Sequence, residues 1–230
     1  MTVTEKLTQE DNEYLLYHKQ RFAYLIKKVD ELVNELGKTK PMILDIGPHF
    51  QTTLLRAHFG DKVIINTLGW ENSNTIVPDG TVDKHYHFDL NDTSSVDKWV
   101  KCPQHDIILM AEVFEHLYTA PEYFMSFLNA SLYKNGFLMV GTPNGVALSK
   151  RITLLKGSNP YEKIRTTLDN PGHFREYTLE ELIEYGNRAG LETYSAELMD
   201  FYPQGKKAAF LKKVFPKLKD SINIIYRKKS

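Results

Sequence analysis

The chain has a single cysteine, Cys102, among its 230 residues. One thiol cannot make an internal disulfide, and its presence alone fits a reducing compartment. Long apolar runs are also missing. None approaches the ~20 residues that cross a bilayer as a helix. The amino-terminal stretch has no basic segment followed by an apolar one, so no secretory signal is expected and a cytoplasmic setting is. Net charge is absent too: 29 basic residues balance 29 acidic ones. No aromatic–basic stripe lies outside the last 30 residues, which argues against nucleic acid as a partner. The balance hides an asymmetry, because residues 201–230 hold nine Lys or Arg and one acid. Such a segment suits contact with something anionic, or a solvated face.

What is present is the composition of an ordinary globular chain, 42% hydrophobic and 25% charged, long enough to bury a full core. Apolar residues at Leu15, Phe22, Leu25, Ile26, Val29, Leu32 and Val33 predict one amphipathic helix over 11–36, ending near Gly37. Seven strands are expected, at Met42–Ile46, Lys62–Thr67, His85–Phe88, Asp106–Met110, Phe137–Gly141, Leu191–Leu198 and Ile222–Arg227. Helical stretches lie between most of them: Thr52–Phe59, a turn or two over Ser94–Val100, Pro121–Tyr133 and Thr178–Ala189. Thr178 with Glu181 forms a capping-box signature, and Gly190 closes the helix. Strand–helix alternation implies an α/β fold with a mostly parallel sheet and helices on both faces. In such sheets ligands lie beyond the carboxyl ends of the strands.

The strand ends carry the candidate chemistry. After the first come Asp45, Gly47 and Pro48, then His49 and Phe50. The phosphate-cradling pattern G-x-G-x-x-G is absent, which argues against NAD or FAD but not against a ligand without phosphates. After the second comes Glu71, 24 residues beyond Gly47, where a ribose-binding carboxylate belongs. It reads equally as a solvated loop residue, with Asn66 as the fallback. After the third come Asp89 and Leu90, where Asp89 could accept from an exocyclic amine. Asn91 and Asp92 read as turn or cap residues. His85 and His87 alternate on a short strand without further ligands, so no metal is expected. After the fourth, Ala111-Glu112-Val113-Phe114-Glu115-His116 places two acids and a histidine at the open edge of the sheet. His116 could serve as a general base, or could merely bridge backbone groups.

In this order the segments ILDIGP (43–48), HFDLND (87–92), HDIILMAEVFEHL (105–117), LYKNGFLMVGTPN (132–144) and GHFREYTLEEL (172–182) resemble the successive motifs of class I S-adenosylmethionine-dependent methyltransferases. They are most similar to a subgroup associated with ubiquinone-type and surface-glycan methyltransferases. The resemblance covers roughly residues 40–200. It implies a Rossmann-like seven-stranded sheet whose last strand is antiparallel, with S-adenosyl-L-methionine as cofactor and S-adenosyl-L-homocysteine as product. By the same resemblance Asp45, Gly47 and Pro48 lie near the methionine moiety. Glu71 holds the ribose, Asp89 and Leu90 meet the adenine, and Ala111 and Glu112 line the floor beneath the sulfonium. His116 and His173 stand toward the acceptor as candidate bases. Arg21 could reach the cofactor carboxylate, although an arginine on that helix is expected to face solvent. The subgroup favours oxygen over nitrogen, on a small molecule or glycan. A non-catalytic cofactor-binding protein is the alternative that the reduced glycine turn suggests.

The implied organisation is a helical segment over 1–40 packed on a methyltransferase domain over 41–230. A breaker-rich, lid-like insertion is expected at about 142–177, containing Tyr161, Arg165, His173 and Arg175, and a basic connector at about 203–220. In the connector Lys206, Lys207, Lys212, Lys213, Lys217 and Lys219 interleave with Phe210, Leu211, Val214 and Phe215. It reads as a link that buries its apolar face while its lysines stay wet, or as a weak contact with an anionic membrane surface.

Overall fold

The protein's structure, a computed structural model, describes residues 8–70, 77–167 and 171–229. The helices are α1 (Gln9–Tyr17), α2 (Lys19–Leu36), α3 (Phe50–Phe59), α4 (Pro121–Ala130), α5 (Leu148–Leu155), α6 (Leu179–Arg188) and α7 (Lys206–Val214). The strands are β1 (Met42–Ile46), β2 (Ile64–Gly69), β3 (Lys84–His87), β4 (His105–Ala111), β5 (Leu132–Pro143), β6 (Leu191–Met199) and β7 (Ser221–Lys228). Among the described residues they form one sheet in the order β3-β2-β1-β4-β5-β7-β6. β1 to β5 pair in parallel, and β7 runs antiparallel to both β5 and β6. The strand order reverses between β1 and β4, which puts a crevice at their carboxyl ends.

Strand alternation divides the core into two halves. Ile43, Ile107, Leu109, Phe137 and Met139 face Leu25, Val29 and Leu32 of α2 and Leu55 and Phe59 of α3. Leu44, Ile108, Met110, Leu138 and Val140 face Phe124 and Leu128 of α4 and Leu182 of α6. Successive side chains on a strand point to opposite faces, so a strand covered on both sides must be apolar throughout. Each fully buried Leu, Ile or Phe contributes about 1.5–3 kcal/mol, and these two layers hold the crevice rigid.

Some boundaries differ from the sequence expectation. The helix expected over 11–36 is two helices. No residue of α1 is buried, while α2 buries Phe22, Leu25, Val29 and Leu32. Nothing in the core pulls α1 into line with α2, and the chain turns at His18, whose Nδ1 meets the Tyr202 hydroxyl at 2.8 Å. α2 ends on Gly37 at φ 61, as expected of a left-handed cap. β5 begins at Leu132, five residues before the expected Phe137. The Lys134-Asn135-Gly136 turn signal is real, since Asn135 sits at φ 63, but it makes an irregularity inside a continuous strand. The helical turns expected at Ser94–Val100 are two short 3-10 turns, 90–94 and 96–98.

The segment after β5 contains α5 and returns along the sheet edge. It is tied down at both ends: Gly145 N donates to Tyr177 O at 2.9 Å, and Phe174 N donates to Glu115 O at 2.9 Å.

Candidate active site

A cavity of about 1170 Å³ opens along the carboxyl ends of β1, β2, β3 and β4. Its first wall is the turn after β1. Gly47 adopts φ 69, and its N–H donates to Leu68 O at 2.9 Å, joining the ends of β1 and β2. A Cβ on Gly47 would lie 2.8 Å from Val113 Cγ2, so the position is closed to side chains by packing as well as by φ. Gln51 Nε2 donates to Gly47 O at 3.0 Å. Gly47, Pro48, His49 and Gln51 line the cavity. Asp45 stands behind this turn, wholly buried, rather than on the cavity wall. Its Oδ2 accepts from the Thr52 hydroxyl at 2.6 Å, and burial pushes its carboxyl up to about 7.

The second wall joins the ends of β2 and β3. Thr67, Leu68, Gly69 and Trp70 line it, with Phe88, Asp89, Leu90 and Asn91. Glu71, the expected ribose partner, lies outside the described residues. Its fallback, Asn66, is buried against His105, 3.0 Å from Nε2, and does not reach the cavity. Asp89 Oδ1 accepts from Asn91 N at 2.9 Å and from Asn91 Nδ2 at 3.0 Å. Asn91 Oδ1 in turn accepts from Tyr118 N at 2.8 Å, so Asn91 is more than a turn residue: it ties this wall to the one after β4. His85 is held at Nδ1 by the Thr67 hydroxyl, 2.8 Å away.

The third wall follows β4. Glu112 has φ 55, a left-handed conformation that costs a non-glycine residue about 1–2 kcal/mol. Its N–H donates to Gly141 O at 2.8 Å. Its carboxylate meets Arg21 Nη1 at 3.0 Å. The Arg21 side chain is only 13% exposed. This corrects the expectation of a solvent-facing arginine: α1 and α2 deliver Tyr14, His18 and Arg21 to the cavity. Burial beside Arg21 depresses His18 to about 4, so it is neutral there at physiological pH.

Beyond Glu112 the same loop carries Glu115 and His116, and the segment after α5 brings His173 to them. The His116 and His173 rings meet edge to face, with centroids 4.9 Å apart. His116 Nδ1 lies 2.9 Å from Gly172 O, which fixes that nitrogen as the N–H donor. His173 sits between two carboxylates, its Nδ1 2.9 Å from Glu176 and its Nε2 3.2 Å from Glu162. Burial and the neighbouring His116 lower its pKa. Glu115 is fully buried. Its Oε2 accepts from the Thr142 hydroxyl at 2.8 Å, while Oε1 has no partner among the described residues. Burial, and after it Glu112, pushes the Glu115 carboxyl up to about 8. Lys150 contacts Glu176 and is lowered to about 8 by burial.

Thus Gly47, Pro48, Asp89, Leu90, Ala111, Glu112, His116 and His173 line one cavity, while Asp45 supports it from behind. Sequence reasoning did not assign Tyr14, His49, Glu115 or Glu162, which also line it. The E-x-x-E-H run displayed Glu115 in plain view. Glu162 and Tyr14 carry no local signal, because only the chain's return paths place them.

A family model described as a methyltransferase domain matches residues 17–196. The chain belongs to that family. The methyltransferase is an enzyme, and its cofactor is S-adenosylmethionine. An S-adenosylmethionine-dependent methyltransferase from Archaeoglobus fulgidus superposes with a TM-score of 0.56 at 15% identity, over 94% of this chain and 99% of that one. One from Clostridium acetobutylicum ATCC 824 gives a TM-score of 0.57 at 10% identity, over 93% and 92%. The [4+2]-cyclase SpnF has the same fold at a TM-score of 0.55 and 14% identity, over 89% and 81%. At these identities the likeness shows the fold. No curated protein matches the sequence.

The residues present fit the cofactor. A side-chain-free turn at Gly47 lets a ligand approach the main chain, and no phosphate needs cradling. Asp89 and the Leu90–Ala111 surface offer an acceptor and an apolar bed for a base. Arg21, which meets Glu112 and the Tyr14 hydroxyl, lines the same cavity and would offer a cation to a ligand carboxylate.

Proposed function

We propose that the methyltransferase acts on an oxygen of a glycan or small-molecule acceptor. The assignment of Gly47, Pro48, Asp89, Leu90, Ala111 and Glu112 to the cofactor, with Asp45 buttressing the turn, rests on the motif order and on their common cavity, and that of Glu71 to the ribose on its place in the sequence alone. When bound, the cofactor supplies an electrophilic methyl group on a sulfonium. The observation that carries the acceptor reading is the histidine pair. With its Nδ1 committed to Gly172 O, His116 has Nε2 available to take the proton of an attacking hydroxyl. His173, with both ring nitrogens against the carboxylates of Glu162 and Glu176, orients the acceptor, and would take that proton itself only with the Glu162 contact open. An amine acceptor would need no such base. The lone Cys102 supports a cytoplasmic setting, and no described helix is long and apolar enough to cross a membrane.

The test is methyl transfer from labelled cofactor to hydroxyl and amine acceptors, beside titration calorimetry of the cofactor. His116→Ala or His173→Ala should lower turnover on a hydroxyl acceptor by about 10²–10⁴-fold while cofactor affinity holds. Wild-type turnover in both variants would remove the base assignment.

One observation supports a second reading of the same residues. Glu115, His116 and His173 each offer a ligand atom within 4.8 Å of the others. Glu115 Oε1 is buried and unpartnered among the described residues. Both imidazoles have Nδ1 against an oxygen acceptor, the outer arrangement that presents Nε2 to a metal ion, and the Nε2 of His173 would exchange its 3.2 Å contact with Glu162 for that ion. A divalent cation there would acidify the acceptor hydroxyl directly, in place of a base. Chelator treatment separates the readings. Activity abolished by chelation and restored by added Mg²⁺, Mn²⁺ or Zn²⁺ favours the cation, and unchanged activity favours the base.

A further inference from the structure

α7 is amphipathic the wrong way round for a surface helix. Lys212 faces inward at 4% exposure and bonds Asp200 Oδ1 at 2.9 Å and Asp220 Oδ2 at 2.6 Å. Phe210, Val214 and the adjoining Phe215 face water at 67%, 52% and 57% exposure. Folding normally buries the apolar stripe of such a helix and leaves its lysines wet. This overturns the expectation of a connector that buries its apolar face. It also withdraws two lysines from the expected six, because Lys212 is buried and Lys217 is paired with Glu180.

α5 repeats the pattern. None of its residues is buried. Leu148, Arg151, Ile152 and Leu155 fall at i, i+3, i+4 and i+7 on one face, with Leu155 88% exposed. The two helices adjoin. Arg151 shares a groove of about 460 Å³ with residues 214–218, and Asn144 Nδ2 donates to the carbonyls of Lys217 and Lys219 at 3.0 and 2.7 Å. Both lie at the carboxyl edge of the sheet. α5 follows β5, and α7 follows β6, which runs parallel to β5 because each is antiparallel to β7. That is the edge on which the cavity opens.

The charge carried by the two segments that form this apolar surface is positive, with Glu180 against Lys217 at its border. Residues 143–161 and 201–219 contain no Asp or Glu. Lys206, Lys207, Lys213, Arg151 and Lys156 are all exposed there. We infer that the α5–α7 face docks on an anionic membrane surface, with Phe210, Phe215 and Leu155 entering the headgroup layer. Exposed aromatics bordered by cations complement an anionic leaflet on both counts. A protein partner would need a wholly acidic rim to match. Docked this way, the cavity mouth lies at the membrane edge.

The experiment is cosedimentation of the full chain with phosphatidylcholine vesicles, with and without phosphatidylglycerol. It needs no methyl transfer, so it can fail or succeed independently of the acceptor assignment. Strong preference for the anionic vesicles is expected, lost by about tenfold or more when salt rises from ~0.1 to ~1 M. The double substitution Phe210→Ser/Phe215→Ser should lower binding at low salt, and Lys207→Glu/Lys213→Glu should remove the anionic preference. All four side chains are exposed, so thermal melting should match wild type. Equal partitioning onto both lipids, none onto either, or binding indifferent to both double variants would overturn the inference. So would a wild-type dimer that Phe210→Ser/Phe215→Ser dissociates, which would make the face an interface between two copies.

Discussion

Glu115→Gln should stabilise the protein at alkaline pH and leave it unchanged in acid. Glu115 is fully buried with one oxygen on the Thr142 hydroxyl and the other unpartnered. Burial and the nearby Glu112 raise its carboxyl from 4.5 to about 8. A raised carboxyl pKa means the folded state holds a proton that the unfolded chain has released. Its contribution is therefore fully present below about 4.5 and is lost as pH rises toward 8. One pH unit is worth 1.36 kcal/mol per proton, so the window from 4.5 to about 8 amounts to roughly 4–5 kcal/mol if Glu115 acted alone. Glu112, also raised by burial, repels it only when ionised and so shares the penalty, and Asp45 adds a decline of its own toward pH 7. We expect wild type to lose about 2–4 kcal/mol to Glu115 between pH 5 and pH 8. Glutamine keeps the shape and can still accept from Thr142, but has no proton to lose. Urea unfolding of both proteins at pH 5 and pH 8 measures the difference. Parallel stability–pH curves, or a variant weaker than wild type at pH 8, would refute the reasoning. If a divalent cation satisfies Glu115 Oε1, adding it at pH 8 should restore wild type and not the variant.

Three more substitutions test the frame of the site. Arg21→Met leaves the Glu112 carboxylate without its 3.0 Å partner and should lower stability by about 1–3 kcal/mol at neutral pH, read by thermal melting, with partial recovery in Arg21→Met/Glu112→Gln. Gly47→Ala combines φ 69 with a Cβ 2.8 Å from Val113, so about 1–3 kcal/mol of stability should go together with cofactor affinity in calorimetry. Lys212→Met leaves Asp200 and Asp220 facing each other. It should cost about 2–4 kcal/mol at pH 7 and distinctly less at pH 4 in urea unfolding, because protonation relieves the repulsion.

The parts of this molecule that were legible in sequence are those where local chemistry and the global fold agree. Met42–Ile46 reads as a strand buried on both faces and is one. Gly37 and the Thr178–Glu181 box end and begin helices where expected. The parts that were not legible depend on chain return. Arg21 was expected at the surface because most arginines are. Its burial follows from α2 packing on the sheet so that its first turn meets Glu112 at the cavity, which no local pattern records. The α7 segment misled for a related reason. Apolar residues among lysines ordinarily predict buried Phe and exposed Lys, and here Asp200 and Asp220, at the ends of the flanking strands, capture Lys212 and turn the helix over.

The turn after β1 keeps the space above the strand end clear with a single glycine. Extra glycines in such turns keep side chains out of the space above the strand end. Here that space is kept clear by directing bulk elsewhere. Phe50 is only 4% exposed and packs beneath the turn with its ring centroid 5.6 Å from that of Tyr14, so it does not line the cavity. His49 reaches the wall but is held edge-on to Tyr14 at 5.3 Å and to Phe50 at 4.8 Å. Gly47 alone must be a glycine, because Val113 closes on it from the loop after β4. That contact makes the turn after β1 and the loop carrying Glu112, Glu115 and His116 a single packed unit. A side chain at Gly47 would therefore push on the end of the cavity proposed for the acceptor as well as on the end proposed for the cofactor. Gly47→Ala should accordingly lower turnover even at saturating cofactor, an effect that a glycine serving only ligand approach would not produce.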